Sequence, residues 1–123
     1  MTDMKKVTPP LPAGLRTTAA RRRLLEIFTA DRAWTAVQTA RRLGTADLST
    51  VYRNMHLLTD RRILAVAPIS GEETYFELAG RPHHEHLICE KCGEGVCVPC
   101  PLKGNRRRHR LEFYGFCPTC RGR

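Results

Sequence analysis

The sequence predicts an α+β chain in two small lobes: three helices closed by a two-stranded hairpin, then a short antiparallel sheet held by a metal. Three observations predict it. Apolar residues recur at helical spacing in three consecutive segments between Thr17 and Arg62. Two strand-like runs joined by a Pro- and Gly-containing link follow. All six cysteines lie at or beyond Cys89, as three Cys-x-x-Cys pairs. With 123 residues, 41% hydrophobic and 27% charged, the chain has an ordinary globular composition. Neither lobe can hold a large core, so each needs a second source of stability. The length excludes a TIM barrel or a complete dinucleotide-binding fold. No apolar run approaches the roughly 20 residues of a membrane span. Residues 1–14 carry two lysines with no apolar stretch behind them, so a secretory signal is not expected and a cytoplasmic location is.

In chain order, residues 1–14 are rich in Pro, Thr and Lys and read as a flexible leader. The first helix opens at Thr17 or Thr18 and turns Leu24, Leu25, Ile27 and Phe28 inward. The second starts at Thr35, where Thr35-Ala-Val-Gln38 has capping-box form, and Gly44 ends it after Leu43. Trp34, just before it, is expected in a core or interface. The third opens at Ser49 or Thr50. Val51, Met55 and Leu58 share one face, while Tyr52, Arg53 and His56 point elsewhere. Strands are expected over Ile63–Ala67 and Thr74–Leu78, linked through Pro68-Ile-Ser-Gly71. Together these make a winged helix-turn-helix over residues 15–78, a fold whose third helix enters the major groove of DNA. Ala79-Gly-Arg-Pro82 reads as a hinge. Residues 83–123 form the second lobe, with strands over His84–Ile88, Gly95–Val98 and Arg110–Tyr114 and no long helix over 99–108.

Charge supports a nucleic-acid partner. Twenty-one basic residues face 12 acidic ones, a formal charge of +9. Between Arg16 and Arg62 ten arginines stand against four acidic residues, on segments that read as helices.

The cysteines have three readings. A disulfide framework fits poorly with a reducing cytosol. A dithiol redox motif belongs at a helix start, whereas Cys89 ends a strand-like run. Structural zinc needs four soft, tetrahedral ligands, and two knuckles, Cys89-Glu-Lys-Cys92-Gly93 and Cys117-Pro-Thr-Cys120, supply two each. The middle pair, Cys97 and Cys100, competes for the same metal. It ranks lower, because Val-Cys-Val-Pro-Cys-Pro looks like a strand end with one thiol in the core. A second signal is Pro82-His83-His84-Glu85-His86. On a strand, His84 and His86 share one face, and His83 and Glu85 the other. Glu77 is the natural further ligand for the first face and His109 for the second. Mixed N and O donors suit Zn²⁺, Fe²⁺, Mn²⁺ or Ni²⁺, and ligand type alone does not choose among them. His56 reads as a surface or DNA-facing residue.

Together these residues resemble the ferric uptake regulator family of bacterial metal-sensing repressors. The resemblance rests on the Arg-rich first helix, Ser49-Thr-Val-Tyr-Arg53, Tyr75-Phe-Glu-Leu78, HHEHLICEKCG and HRLEFYGFCPTC, and spans Arg16 to Cys120. It implies a homodimer joined through the second lobe, bound to an AT-rich inverted repeat in double-stranded DNA. Tyr52 and Arg53 match base- and phosphate-contacting positions, and Arg16, Arg21, Ser49 and Thr50 are further DNA-binding candidates. Cys89, Cys92, Cys117 and Cys120 match structural zinc ligands. Glu77, His84 and His86 match a regulatory metal site, for Fe²⁺ or Zn²⁺ foremost, with Mn²⁺ or Ni²⁺ as alternatives. His83, Glu85 and His109 match a further site. The chain departs from the family pattern in three places. Ala33 stands where a ligand histidine often precedes the second helix. The segment from Cys92 to His109 is short and lacks most of a dimerisation helix, with Leu102-Lys-Gly104 where an acidic ligand normally lies. The Gly44–Leu48 link is short as well. A Glu/His/His set without cysteine leans towards iron or another borderline metal.

The mechanism expected is a metal-dependent repressor in which a divalent ion ties the lobes together. The alternatives are a zinc-ribbon nucleic-acid-binding module without sensing and a small zinc hydrolase. No His-Glu-x-x-His or Ser/His/Asp pattern supports the hydrolase, so an enzyme is not expected.

Overall fold

The computed structural model describes residues 18–28, 31–102 and 109–121. The proposed leader, Arg16 and residues 103–108 lie outside the described residues. Helix α1 (Ala19–Ile27) begins at Thr18, whose hydroxyl accepts from the Arg21 N–H at 3.1 Å. Helix α2 (Ala36–Leu43) carries the expected reciprocal box. The Gln38 N–H donates to the Thr35 hydroxyl and the Thr35 N–H to the Gln38 amide oxygen. Gly44 closes the helix at φ +72°, a left-handed conformation that costs glycine little. Helix α3 (Leu48–Asp60) starts earlier than expected. Asp47 is the cap, accepting the Thr50 N–H at 3.1 Å and the Thr50 hydroxyl at 2.7 Å. A carboxylate takes two donors where a serine or threonine at 49 or 50 takes one, so the cap moves upstream. That Thr50 hydroxyl, helped by the Thr50 N–H, holds the Asp47 carboxyl below its usual pKa.

Strand β1 (Arg32–Thr35) lies between α1 and α2 and was not expected. Its four residues are too few to display alternation. Beyond α3 come β2 (Leu64–Ala67), β3 (Tyr75–Leu78), β4 (Glu85–Cys89), β5 (Gly95–Val98) and β6 (Glu112–Gly115). All six join one sheet in the order β2-β3-β1-β5-β4-β6. β1 therefore connects the wing hairpin to the carboxy-terminal strands, pairing Trp34 with Phe76 on one side and Ala33 with Gly95 on the other. The second lobe was expected to be antiparallel, but β4 and β6 run parallel, His86 opposite Glu112 and Cys89 opposite Gly115. The link between β5 and β6 is long enough for the crossover that a parallel pair requires.

The main core gathers Leu24 and Leu25 from α1 and Phe28 at its carboxy-terminal cap, Val51, Met55 and Leu58 from α3, and Trp34, Leu64 and Phe76 from the sheet. Arg42 stacks its guanidinium over the Trp34 ring at 4.6 Å. A smaller cluster of Cys89, Val96 and Cys117 holds the other end. Among the described residues, no helix is long and apolar enough to cross a membrane.

Candidate metal centres

Among the described residues, three groups of potential ligands form, and within each the donor atoms lie within 4.8 Å of one another. The first is Cys89, Cys92, Cys117 and Cys120. Cys89 ends β4, and the turn after it closes through the Gly93 N–H to the Cys89 carbonyl at 2.9 Å, with Gly93 at φ +78°. The parallel register carries β6 alongside, so that Cys117 arrives two residues past the Cys89–Gly115 pair. Its own turn closes through the Cys120 N–H to the Cys117 carbonyl at 3.0 Å. The Cys92 and Cys117 sulfurs are 3.7 Å apart. Burial works against every one of the four thiolates. At Cys89, backbone N–H groups from Cys117, Cys92 and Lys91 outweigh it and bring the thiol to about 6, while Cys92 is pushed up to about 12 by burial and its sulfur neighbours. Four thiolates this close repel one another, and a cation among them removes that repulsion. A closed set of four thiolates fits structural Zn²⁺, and all six cysteines are free of disulfides.

The second group is Glu77, His84, His86 and Cys97. Glu77 sits on β3 and is buried, as is His86 on β4. One carboxylate oxygen, Glu77 Oε1, lies 2.8 Å from His84 Nε2 and 2.9 Å from His86 Nε2. His84 Nδ1 donates to the Pro82 carbonyl at 2.8 Å. With Nδ1 so engaged, Nε2 is the His84 atom that faces Glu77 and the one a metal would take. Burial pushes the Glu77 carboxyl up, but the hydrogen bonds and charge of His86 and His84 prevail and bring it down to about 2. The Cys97 sulfur stands 3.5 Å from the same Oε1. Burial and the neighbouring carboxylate push its thiol up to about 12, against the pull of Arg81.

The third group is His83, Glu85, Cys100 and His109. Glu85 Oε2 is 2.7 Å from His83 Nε2 and 3.0 Å from His109 Nε2, and Cys100 Sγ is 3.3 Å from His109 Nε2. Burial disfavours the Glu85 carboxylate, yet the Leu111 N–H at 2.9 Å, Cys100 and His83 hold its pKa below the usual range. An open cleft of about 520 Å³ lined by Pro68, His83, His84, Glu85, His109 and Arg110 gives solvent a route to both mixed groups.

Sequence reasoning missed the two middle cysteines as members of these groups. The spacing contained a signal. Cys97 lies directly opposite His86 in the β4–β5 register, and Cys100 lies three residues on. Without that register, a Cys-x-x-Cys pair reads as one unit, whereas the strand sends its two sulfurs to different groups. Ala33 is fully buried, and a β-carbon on Gly95 would meet its methyl at 3.3 Å, so this position packs strands instead of supplying a ligand.

The DNA-binding candidates cluster less tightly. Ser49, Tyr52 and Arg53 are exposed on α3, and Tyr52 stacks on the exposed His56 with ring centroids 6.0 Å apart. Thr50 is engaged by the Asp47 cap, and Arg21 Nε donates to Asn54 on α3 at 3.1 Å.

Three helices and a hairpin joined by one sheet to clusters of potential metal ligands have the make-up of a metal-binding protein. The model of the ferric uptake regulator family matches residues 12–117. The chain belongs to that family, whose members are metal-responsive, DNA-binding, dimeric regulators and not enzymes. The ferric uptake regulation protein of Staphylococcus aureus is 30% identical over 121 residues, covering 87% of this chain and 89% of that one. The crystal structure of the Vibrio cholerae ferric uptake regulator is similar with a TM-score of 0.62 and 28% identity, over 85% of this chain and 94% of the other. A zinc-bound manganese uptake regulator gives a TM-score of 0.64 at 27% identity, over 85% and 92% of the two chains.

Proposed function

We propose that the protein is a metal-dependent transcriptional repressor of metal-homeostasis genes, with a divalent cation as corepressor. The observation that carries this reading is the meeting of Glu77, on the wing, with His84 and His86, beyond the 79–82 hinge, at 2.8 and 2.9 Å. These three donor atoms converge closely enough for one cation to take them all. The chain's own residues do the rest. Glu77 holds the wing, His84 and His86 hold the second lobe, and joining them fixes the angle between the two. Exposed Tyr52 and Arg53 on α3 then face the major groove, and the +9 charge favours phosphate. In a homodimer, two such helices reach successive major-groove turns, ~34 Å apart, of an AT-rich inverted repeat. The edge strand β6, with Phe113 and Tyr114 exposed on it and Phe116 exposed just beyond, supports pairing with a second copy.

The test is operator affinity with and without divalent metal, in Glu77→Ala and His86→Ala. A coupling of ~1–3 kcal/mol makes metal worth about 5- to 150-fold in the parent, and the variants should lose that factor. Undiminished metal dependence in both variants refutes the coupling site. Binding that needs only the four-cysteine zinc points instead to a nucleic-acid-binding protein without sensing.

A further inference from the structure

We propose that Cys97 is the fourth ligand of the Glu77/His84/His86 centre, and that the resulting two-nitrogen, one-oxygen, one-sulfur set selects a thiophilic tetrahedral ion of the Zn²⁺ class over Fe²⁺ and Mn²⁺. The metal preference deepens the repressor reading and rests on it; the ligand assignment stands alone. Three observations carry it. Cys97 is the cross-strand partner of His86, so both side chains leave the sheet on the same face. Its sulfur is 3.5 Å from Glu77 Oε1, the atom that both imidazoles already approach. Ala33, on the strand between β3 and β5, has no donor atom and is packed against Gly95, so the further donor comes from the next strand.

The chemistry follows from donor type and charge. Carboxylate plus thiolate cancels a dication, and a neutral centre suits a buried position. Four protein donors complete a tetrahedron and leave no open position, the geometry that Zn²⁺ accepts most readily. Mn²⁺ and Fe²⁺ favour more ligands and harder ones, and a sulfur donor penalises Mn²⁺ most.

Cobalt(II) is the probe, because thiolate ligation gives it a charge-transfer band that oxygen and nitrogen donors do not. Cobalt is titrated into Cys100→Ser protein carrying one zinc per chain, at the four-cysteine centre, with zinc release measured in parallel to subtract exchange there. The band is expected in Cys100→Ser and absent from the Cys97→Ser/Cys100→Ser double variant. A carboxylate variant, Cys97→Asp, keeps a four-donor site and should lower the preference for Zn²⁺ over Mn²⁺ by about tenfold or more. A band that survives in the double variant overturns the ligand assignment. Zn²⁺/Mn²⁺ competition unchanged by Cys97→Asp overturns the selectivity. If both follow Cys97 while operator affinity ignores occupancy of the centre, the ligand assignment is upheld and the repressor reading fails.

Discussion

The docking of the wing against the four-cysteine knuckle can be tested at a single carbonyl. The Gly93 carbonyl, in the turn between Cys92 and β5, accepts from the Tyr75 hydroxyl at 2.7 Å and from the Gln38 amide at 2.9 Å. One donor comes from β3 and the other from α2, so both lobes meet at this atom. Tyr75→Phe removes one donor and leaves the carbonyl with the other, so the loss should be ~0.5–1 kcal/mol. Gln38→Glu keeps the oxygen that caps the Thr35 N–H but turns a second oxygen onto the carbonyl, at a cost of about 1–2 kcal/mol. The double variant leaves the carbonyl without either donor, and its loss should exceed the sum of the singles by ~0.5 kcal/mol or more. Thermal unfolding of the zinc-loaded protein reads this as shifts of roughly 4 °C per kcal/mol. The fluorescence of Trp34, the sole tryptophan, buried on β1, follows the same transition. Strict additivity, or a Tyr75→Phe protein as stable as the parent, would refute the claim that this carbonyl joins the lobes.

Other outcomes follow from the same geometry. Glu112 on β6 accepts the Ser70 hydroxyl at 2.6 Å and the Ser70 N–H at 2.9 Å, and chiefly through that hydroxyl its carboxyl is held below the usual range. A lowered carboxyl pKa stabilises above the unfolded value of about 4.3 and ceases to do so as pH falls past the folded one. Glu112→Gln should therefore cost ~0.5–1 kcal/mol in denaturant unfolding at pH 7, with the gap to the parent closing below about pH 4. Cys117→Ser should release the structural zinc, measured by elemental analysis. With on the order of 10 kcal/mol of metal binding lost, the carboxy-terminal strands should lose their hydrogen-exchange protection. Gly44→Ala should cost about 1 kcal/mol through its +72° φ alone, since a β-carbon there meets nothing within 4 Å; a stabilised variant in chemical denaturation would contradict this.

The helices were legible in the sequence because their signals are local. Thr35 and Gln38 cap each other within one turn, and the apolar face Val51-Met55-Leu58 recurs at the helical period. The zinc knuckles were legible for the same reason, each being a turn of four residues. What escaped depends on register between distant segments. β1 is too short to show a period and exists because Trp34 finds Phe76 and Ala33 finds Gly95. The parallel pairing of β6 is invisible in Glu112–Gly115 itself. The alternation of His83, His84, Glu85 and His86 could be read as two faces, but which strand lies opposite could not. The Cys97 and Cys100 pair accordingly reads as a strand end with one thiol in the core, and the Glu/His/His set as free of sulfur.

The same register explains how a chain can lack a ligand before α2 and still close its mixed centre. Glu77 and His86 lie on strands separated in the sheet by β1 and β5. Besides His84 from the link before β4, β1 and β5 are the strands placed to offer a further donor. A bulky ligand on β1 at position 33 would press on Gly95 and Ile69, because Ile69 packs against Ala33 and a β-carbon added at 95 would lie 3.3 Å from the Ala33 methyl. Small residues at 33 and 95 let β1 and β5 approach closely, and Arg32 then reaches Glu94 at 2.6 Å. The donor shifts to Cys97 on β5, where the Cys97 N–H also bonds to the Asp31 carbonyl at 2.8 Å and fixes the backbone. Restoring a histidine at 33 should therefore not add a ligand to the present centre. It should separate β1 from β5 and weaken the joint between the lobes on which Glu77 depends.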